Sequence, residues 1–311
     1  MSAGQGGAAL ITGANSGIGK EVARQLADLD AFDAIYLACR NEAKAQAAQT
    51  DLERVTGKSI FTTVLMDTRD PGSVRTAVGL IDSPVRAVVM NAGGTGGSAP
   101  MAATKDGVTE LFASNVLGHV VLLEQLIATG ALTTAVLVGS EAARGVPKLG
   151  MKRPVFTDHS VAEFASVIDG SFFADAKFDA RVGYGQVKYF GALSMSDLAR
   201  RYPSLRLLTV SPGNTAGTDV FRDMPPIMRT LMNRVLMPFV LPRSDLAHPV
   251  GAGAQRLVDA VVGDRLDSAV FYASAANTLT GALVDQAGIV ADFADPTIQS
   301  HASEAIHRFI A

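Results

Sequence analysis

The chain has 311 residues, 48% of them apolar and 18% charged, which excludes a disordered, charge-solvated protein. Its 27 basic and 30 acidic residues leave a net charge of −3, too little positive field to hold nucleic acid. A single cysteine, Cys39, excludes an intramolecular disulfide framework, and five scattered histidines without ligand spacing give no metal site.

Short apolar runs recur along the chain: Ala8–Thr12, Ala34–Cys39, Phe61–Leu65, Ala87–Met90, Ala135–Val138, Leu205–Val210 and a weaker Ala269–Tyr272. They are continuous rather than alternating, as strands covered on both faces are. Segments of helical spacing lie between them, such as Ile18-Val22-Leu26 and Leu111-Val116-Leu123-Leu126-Ile127. This alternation predicts an α/β fold, Rossmann-like and doubly wound, with a mainly seven-stranded parallel sheet flanked by helices. No linker, repeat or charge block divides the chain, so residues 1–311 are expected to form one domain.

Two stretches interrupt the rhythm. Residues 141–183 form a long insertion after the fifth strand, and about 219–249 a second excursion after the sixth. Loops after strand carboxyl ends border the ligand crevice of such a sheet, so both are expected over it.

The first strand runs into Gly13-Ala14-Asn15-Ser16-Gly17-Ile18-Gly19. Glycines there let backbone approach a pyrophosphate, and the helix opening near Ile18 offers it free N–H groups. The second strand ends on Arg40, with no acid at its tip. A guanidinium suits a ribose 2′-phosphate, which points to NADP(H) over NAD(H). Tyr184 and Lys188, four apart on a helix, share a face. An ammonium beside a phenol lowers its pKa from about 10 toward neutrality, giving a proton donor and acceptor.

These features together resemble the short-chain dehydrogenase/reductase family, and further stations match in order. Asn91-Ala92-Gly93 is similar to the family's Asn-Ala-Gly after the fourth strand, which stabilises the sheet and borders the cofactor. Asp67 matches the acid that meets the adenine, and Asn115 the catalytic asparagine. Ser140 stands where the catalytic serine ends the fifth strand. Pro212-Gly213 resembles the motif that closes on the nicotinamide, with Thr215 or Thr218 to hold the carboxamide.

The resemblance implies hydride transfer between the nicotinamide and a carbonyl or alcohol carbon. Tyr184 then exchanges the proton, Ser140 positions the substrate oxygen, Lys188 assists Tyr184 and binds ribose, and Asn115 holds a relay water. The phrases around Gly13–Lys20 and Leu37–Asn41 look like the retinol dehydrogenase and light-dependent protochlorophyllide reductase branch. The latter enzymes carry cysteines near the site, and this chain has only Cys39. A carbonyl reductase on an apolar small molecule is therefore expected, with a C=C reductase or a non-catalytic NADP(H) sensor as alternatives.

Residues 225–242 are apolar and Met-rich, fitting a substrate lid, core packing or peripheral membrane contact. Phe172, Phe173 and Phe178 either line the same pocket or pack the insertion onto the body. The N-terminus has no signal-peptide pattern and no uninterrupted apolar run is long enough to span a membrane, so a cytoplasmic setting is expected. The family resemblance allows a monomer or a homodimer.

Overall fold

The structure is a computed structural model, and it describes residues 6–174, 178–215 and 247–310. Seven parallel strands form where the apolar runs predict them: β1 (Ala8–Thr12), β2 (Ala34–Cys39), β3 (Phe61–Leu65), β4 (Val85–Met90), β5 (Thr134–Val138), β6 (Arg206–Val210) and β7 (Phe271–Ser274). A three-residue β8 (Leu283–Asp285) adds an antiparallel edge to β7 that the sequence pattern does not announce. The sheet order among the described residues is β3-β2-β1-β4-β5-β6-β7-β8. Successive strands step outward from β1 to β3, and β4 then returns to the other side of β1. That reversal opens a crevice at the carboxyl ends of β1 and β4.

The helices are α1 (Gly17–Asp28), α2 (Glu42–Thr56), α3 (Pro71–Gly79), α4 (Glu110–Ala128), α5 (Val161–Asp169), α6 (Ala180–Arg201), α7 (Val250–Val262) and α8 (Pro296–His307). Alternate strand residues face opposite layers, as pleating requires. Ile11, Val89, Val136 and Leu208 pack with α1, α2 and α7. Leu10, Val88, Leu137 and Leu207 pack on the other face, with Val74 of α3, Leu122 of α4 and Met195 of α6. Each layer is continuous, which is why the strands show no polar alternation.

Helix α4 carries a π-turn at Ala113–Leu117. The extra residue explains the five-residue step from Leu111 to Val116, both buried. At Gly118 a Cβ would lie 1.9 Å from the Thr68 carbonyl oxygen, so only glycine lets the turn approach the loop after β3. By length and composition α4 is apolar enough to cross a membrane, but 72% of its most apolar window is buried inside the protein. It is a core helix, and its few polar residues hide it from a search for an uninterrupted apolar run.

The 141–183 insertion contains α5 and packs onto the body. Phe164, Val167 and Ile168 of α5 are buried with Tyr189, Phe190 and Leu193 of α6 and Ala302 and Ile306 of α8. Phe172, Phe173 and Phe178 join this layer through ring contacts. Phe172 meets Phe156 at 6.3 Å, and Phe173 meets Phe178 at 5.3 Å. Of the two readings of these phenylalanines, the structure supports packing of the loop onto the body. The excursion at 219–249 lies outside the described residues up to 246, as does the 225–242 segment.

Candidate active site

The glycine turn starts with Gly13, whose φ of +66° closes the exit from β1 while its N–H donates to the Ala38 carbonyl (2.8 Å). Thr12 and Asn91 hold the turn from beneath. The Thr12 hydroxyl oxygen accepts the N–H groups of Asn91 (2.9 Å) and Ala92 (2.8 Å), and the Asn91 amide donates to the Thr12 carbonyl (2.9 Å). A Cβ at Gly19 would lie 2.5 Å from that Asn91 amide nitrogen, so α1 must begin with a bare backbone here.

Ser16 is the N-cap of α1, yet its side chain makes no capping hydrogen bond. By contrast, Asn41, Asp70, Thr109, Ser160, Asp179 and Asp295 each cap their helices. The first-turn N–H groups around Gly17, Ile18 and Gly19 are thus left to an outside acceptor at the positive end of the helix. This is a cradle that fits a pyrophosphate. Beside it, Asn15, Ser16, Lys20 and Lys44 line a groove of about 280 Å³. The two lysines went unnoticed in the sequence, although Lys44 lies in the first turn of α2, four residues after Arg40.

Arg40 is exposed at the tip of β2. Asp67, at the end of β3, is gripped by Arg69, whose Nη2 donates to it at 2.6 Å, and Arg69 also reaches Glu110 at 3.3 Å. Burial alone would raise the Asp67 pKa, but hydrogen bonds and charge from Arg69, with Arg40 farther off, hold it below its ordinary value.

Across the crevice, Ser140 ends β5. Its hydroxyl oxygen accepts the Ala142 N–H (3.2 Å), and it shares a hydrogen bond with the Tyr184 hydroxyl. Lys188, buried on α6, donates to the Val138 carbonyl (2.9 Å) and lies 5.6 Å from the centre of the Tyr184 ring. Three of the four predicted catalytic side chains therefore form one group.

The tyrosine pKa runs against expectation. Dense packing around the hydroxyl pushes the Tyr184 phenol up to about 12, the Ser140 hydrogen bond lowering it and the Glu141 charge raising it. Lys188 stands over the ring rather than on the phenol oxygen, and burial lowers its own pKa to about 8. Tyr184 is thus a protonated phenol at neutral pH, not a phenolate.

Asn115 sits inside the π-turn. Its Nδ2 donates to the carbonyls of Gly94 (2.9 Å) and Leu111 (2.8 Å), and its Oδ1 accepts the Gly94 N–H (3.1 Å). A Cβ on Gly93 would lie 2.4 Å from that Oδ1, so Gly93 gives the amide its room.

His119, one turn later, was missed by sequence reasoning. Its Nε2 meets the Thr12 hydroxyl at 3.0 Å and its Nδ1 meets the Asn115 carbonyl at 3.1 Å. Thr12 already accepts two N–H groups, so its hydroxyl proton goes to Nε2, and Nδ1 carries the ring proton. Burial pushes the His119 pKa down to about 4, with a smaller contribution from the Lys188 charge. This neutral imidazole ties the π-turn to the glycine turn. Its i, i+4 spacing from Asn115 was the available signal.

After β6, Ser211, Pro212 and Gly213 turn back toward β5. The Gly213 N–H donates to the Ser211 hydroxyl oxygen (3.0 Å). Thr215 is buried, donates to the Gly213 carbonyl (3.1 Å) and bridges to His248. Thr218 lies outside the described residues.

The strand order, the crevice beside β1 and the glycine turn opening onto an uncapped helix define an α/β protein of the Rossmann-like, nucleotide-binding class. Comparison with known proteins narrows it. The short chain dehydrogenase model matches residues 7–150. A short-chain dehydrogenase/reductase of Armillaria gallica is 30% identical, over 74% of this chain and 71% of its own. Protochlorophyllide reductase B of rice, Oryza sativa subsp. japonica, is 29% identical over 72% of this chain and 59% of its own, so this chain spans about three fifths of that relative's length. A solved short-chain dehydrogenase from Burkholderia cenocepacia, in complex with NADP, shares the fold at a TM-score of 0.53 and 20% identity, over 81% of this chain and 88% of its own. The chain belongs to the short-chain dehydrogenase/reductase family.

Proposed function

We propose that this chain is an NADP(H)-dependent oxidoreductase that interconverts a carbonyl and an alcohol on a fairly apolar substrate. The observation that carries the reading is the Ser140–Tyr184–Lys188 group at the end of β5, across the crevice from the uncapped start of α1. When bound, the dinucleotide supplies or takes a hydride at C4 of its nicotinamide ring.

The first turn of α1 holds the pyrophosphate. Arg40, with Lys44 from the first turn of α2, holds the 2′-phosphate, and Asp67 borders the adenine. Asn91, Ala92 and Gly93 brace the middle of the cofactor, and Pro212, Gly213 and Thr215 the nicotinamide end. Ser140 hydrogen-bonds the substrate oxygen. Tyr184, whose phenol keeps its proton up to about pH 12, donates that proton as charge develops on the oxygen. Lys188 carries its charge below about pH 8 and stabilises the tyrosinate left behind.

The likeness to protochlorophyllide reductase supports a second reading, reduction of a C=C bond. Against it stands the chain's one thiol, Cys39, which is buried in β2 within the apolar layer under α1 and α2 rather than presented to a substrate.

The test is cofactor binding and turnover by the purified chain. Wild type should bind NADPH in preference to NADH, and Arg40→Ala should lose the preference. Tyr184→Phe should bind NADPH but not oxidise it with apolar ketones and aldehydes. Equal affinity for both dinucleotides in wild type would overturn the cofactor assignment, and turnover that survives in Tyr184→Phe would overturn the catalytic one.

A further inference from the structure

Glu141 follows Ser140 directly and is only 3% exposed, a buried carboxylate that no step above uses. Its two oxygens are divided between two other strands. Oε2 accepts the Ser211 hydroxyl just past β6 (2.7 Å), and Oε1 accepts the Ser274 N–H at the end of β7 (3.0 Å). Ser211 in turn accepts the Gly213 N–H, so the carboxylate reaches the Pro212-Gly213 backbone through one side chain.

Two guanidinium groups stand near it without a direct ion pair. Arg256 donates to the Ser211 carbonyl (3.3 Å) and the Ser274 hydroxyl (3.2 Å). Arg144, itself buried, donates to the carbonyls of Ser274 (3.0 Å), Ala275 (2.9 Å) and Thr278 (3.0 Å). Each guanidinium feels the Glu141 charge. A buried carboxylate is costly unless hydrogen-bonded and balanced in this way. The arrangement fixes the loop after β6 relative to Ser140, and nothing in it touches the adenine side of the sheet.

The geometry points to Glu141 as a positioning residue that sets the Ser211–Gly213 turn at the height where it meets the nicotinamide half of the cofactor. This rests on the proposed dinucleotide site. A glutamine at 141 has the same shape but only one acceptor oxygen. Its NH₂ must oppose either the Ser274 N–H or the Ser211 hydroxyl. In the second case Ser211 turns its proton away from residue 141, and the charge-assisted hydrogen bond that ties the turn to the end of β5 is lost.

The test uses the full chain and two ligands, NADPH and adenosine 2′,5′-bisphosphate, which has the phosphorylated adenosine but no nicotinamide. Affinities of wild type, Glu141→Gln and Ser211→Ala are measured by fluorescence titration and calorimetry. Both variants should bind NADPH about tenfold or more weakly, as loss of a charge-assisted hydrogen bond predicts, yet hold the bisphosphate within about twofold of wild type. If both ligands weaken together the residue is merely structural, and if neither changes it does not set the turn; either result overturns the proposal. Wild type that binds neither ligand would instead remove the dinucleotide site itself. Should Glu141→Gln fail to fold, Ser211→Ala decides alone, because it removes the same link while keeping the Glu141 charge beside Arg144 and Arg256.

Discussion

Replacement of His119 by leucine tests the link between the glycine turn and the π-turn of α4. His119 is 2% exposed and has a pKa of about 4, against 6.5 for the free side chain. A histidine whose folded pKa is depressed contributes stability that is fully present above the unfolded value and lost as pH falls. The window here runs from about pH 6.5 down to about pH 4, and the full loss across it is about 3.4 kcal/mol. Between about pH 7.5 and about pH 5 the loss is about 2 kcal/mol.

At neutral pH, His119→Leu leaves the Thr12 hydroxyl without its acceptor and the Asn115 carbonyl without its donor, at about 2–6 kcal/mol for the two together. Leucine does not titrate, so the gap between wild type and variant should narrow by about 2 kcal/mol at about pH 5. Urea denaturation of both proteins at the two pH values measures it, and the other titrating groups cancel in the difference. A gap that stays constant would refute the neutral, buried imidazole and the proton assignment that follows from it.

Gly118→Ala should cost about 2 kcal/mol or more in urea denaturation, because its Cβ meets the Thr68 carbonyl oxygen; a shift under about 0.5 kcal/mol would mean that the two segments part easily. Lys188→Met should stabilise the ligand-free protein at pH 7 by about 2 kcal/mol while abolishing turnover. The Lys188 pKa falls from 10.5 to about 8, so stability present above about pH 10.5 is lost as pH drops to about 8, and the variant escapes that loss less one hydrogen bond to Val138. A melting temperature for Lys188→Met below that of wild type at pH 7 would contradict the burial cost. Cys39 should resist a thiol reagent at pH 8 and react only as fast as the chain unfolds, since burial holds its pKa near about 11. Rapid labelling of the folded protein would place that thiol at the surface.

The sheet was legible because its inner strands are buried on both faces and read as unbroken apolar runs, while β3 at the edge keeps the run although Leu65 is exposed. β8 escaped because Leu283–Asp285 is short and only partly buried, and its place is set by pairing with β7. Helix α5 carried a local signal that went unread. Ser160 and Glu163 have the spacing of a capping box: the Glu163 N–H donates to the Ser160 hydroxyl oxygen, while the Glu163 carboxylate gathers the N–H groups of Thr157, Asp158 and His159 and the Ser160 N–H goes to Asp158.

At the site, residues with a fixed local spacing were found, such as Tyr184 with Lys188. Glu141, Arg144 and Arg256 were not, because each acts on segments 18 to 134 residues away and has no periodicity to betray it. The expected low tyrosine pKa failed for a related reason. Shared face predicts proximity, but whether an ammonium meets the phenol oxygen or the ring depends on the Val138 carbonyl, which sequence does not place.

The enclosure of α6 bears on how two copies of the chain can meet. Every residue from Gly185 to Ala199 is buried within the single chain. Helix α8 lies along α6, anchored at its end by His307 and Glu124, and α5 packs beside them. A two-fold contact through the tyrosine-bearing helix would first require α8 to be stripped away, uncovering Tyr189, Phe190 and Leu193. A second copy approaching that side instead faces Thr297, Ser300, Glu304 and Arg308, the exposed polar edge of α8. The chain has in effect supplied its own partner there, and symmetric pairing, if it occurs, has to use a different patch of the molecule.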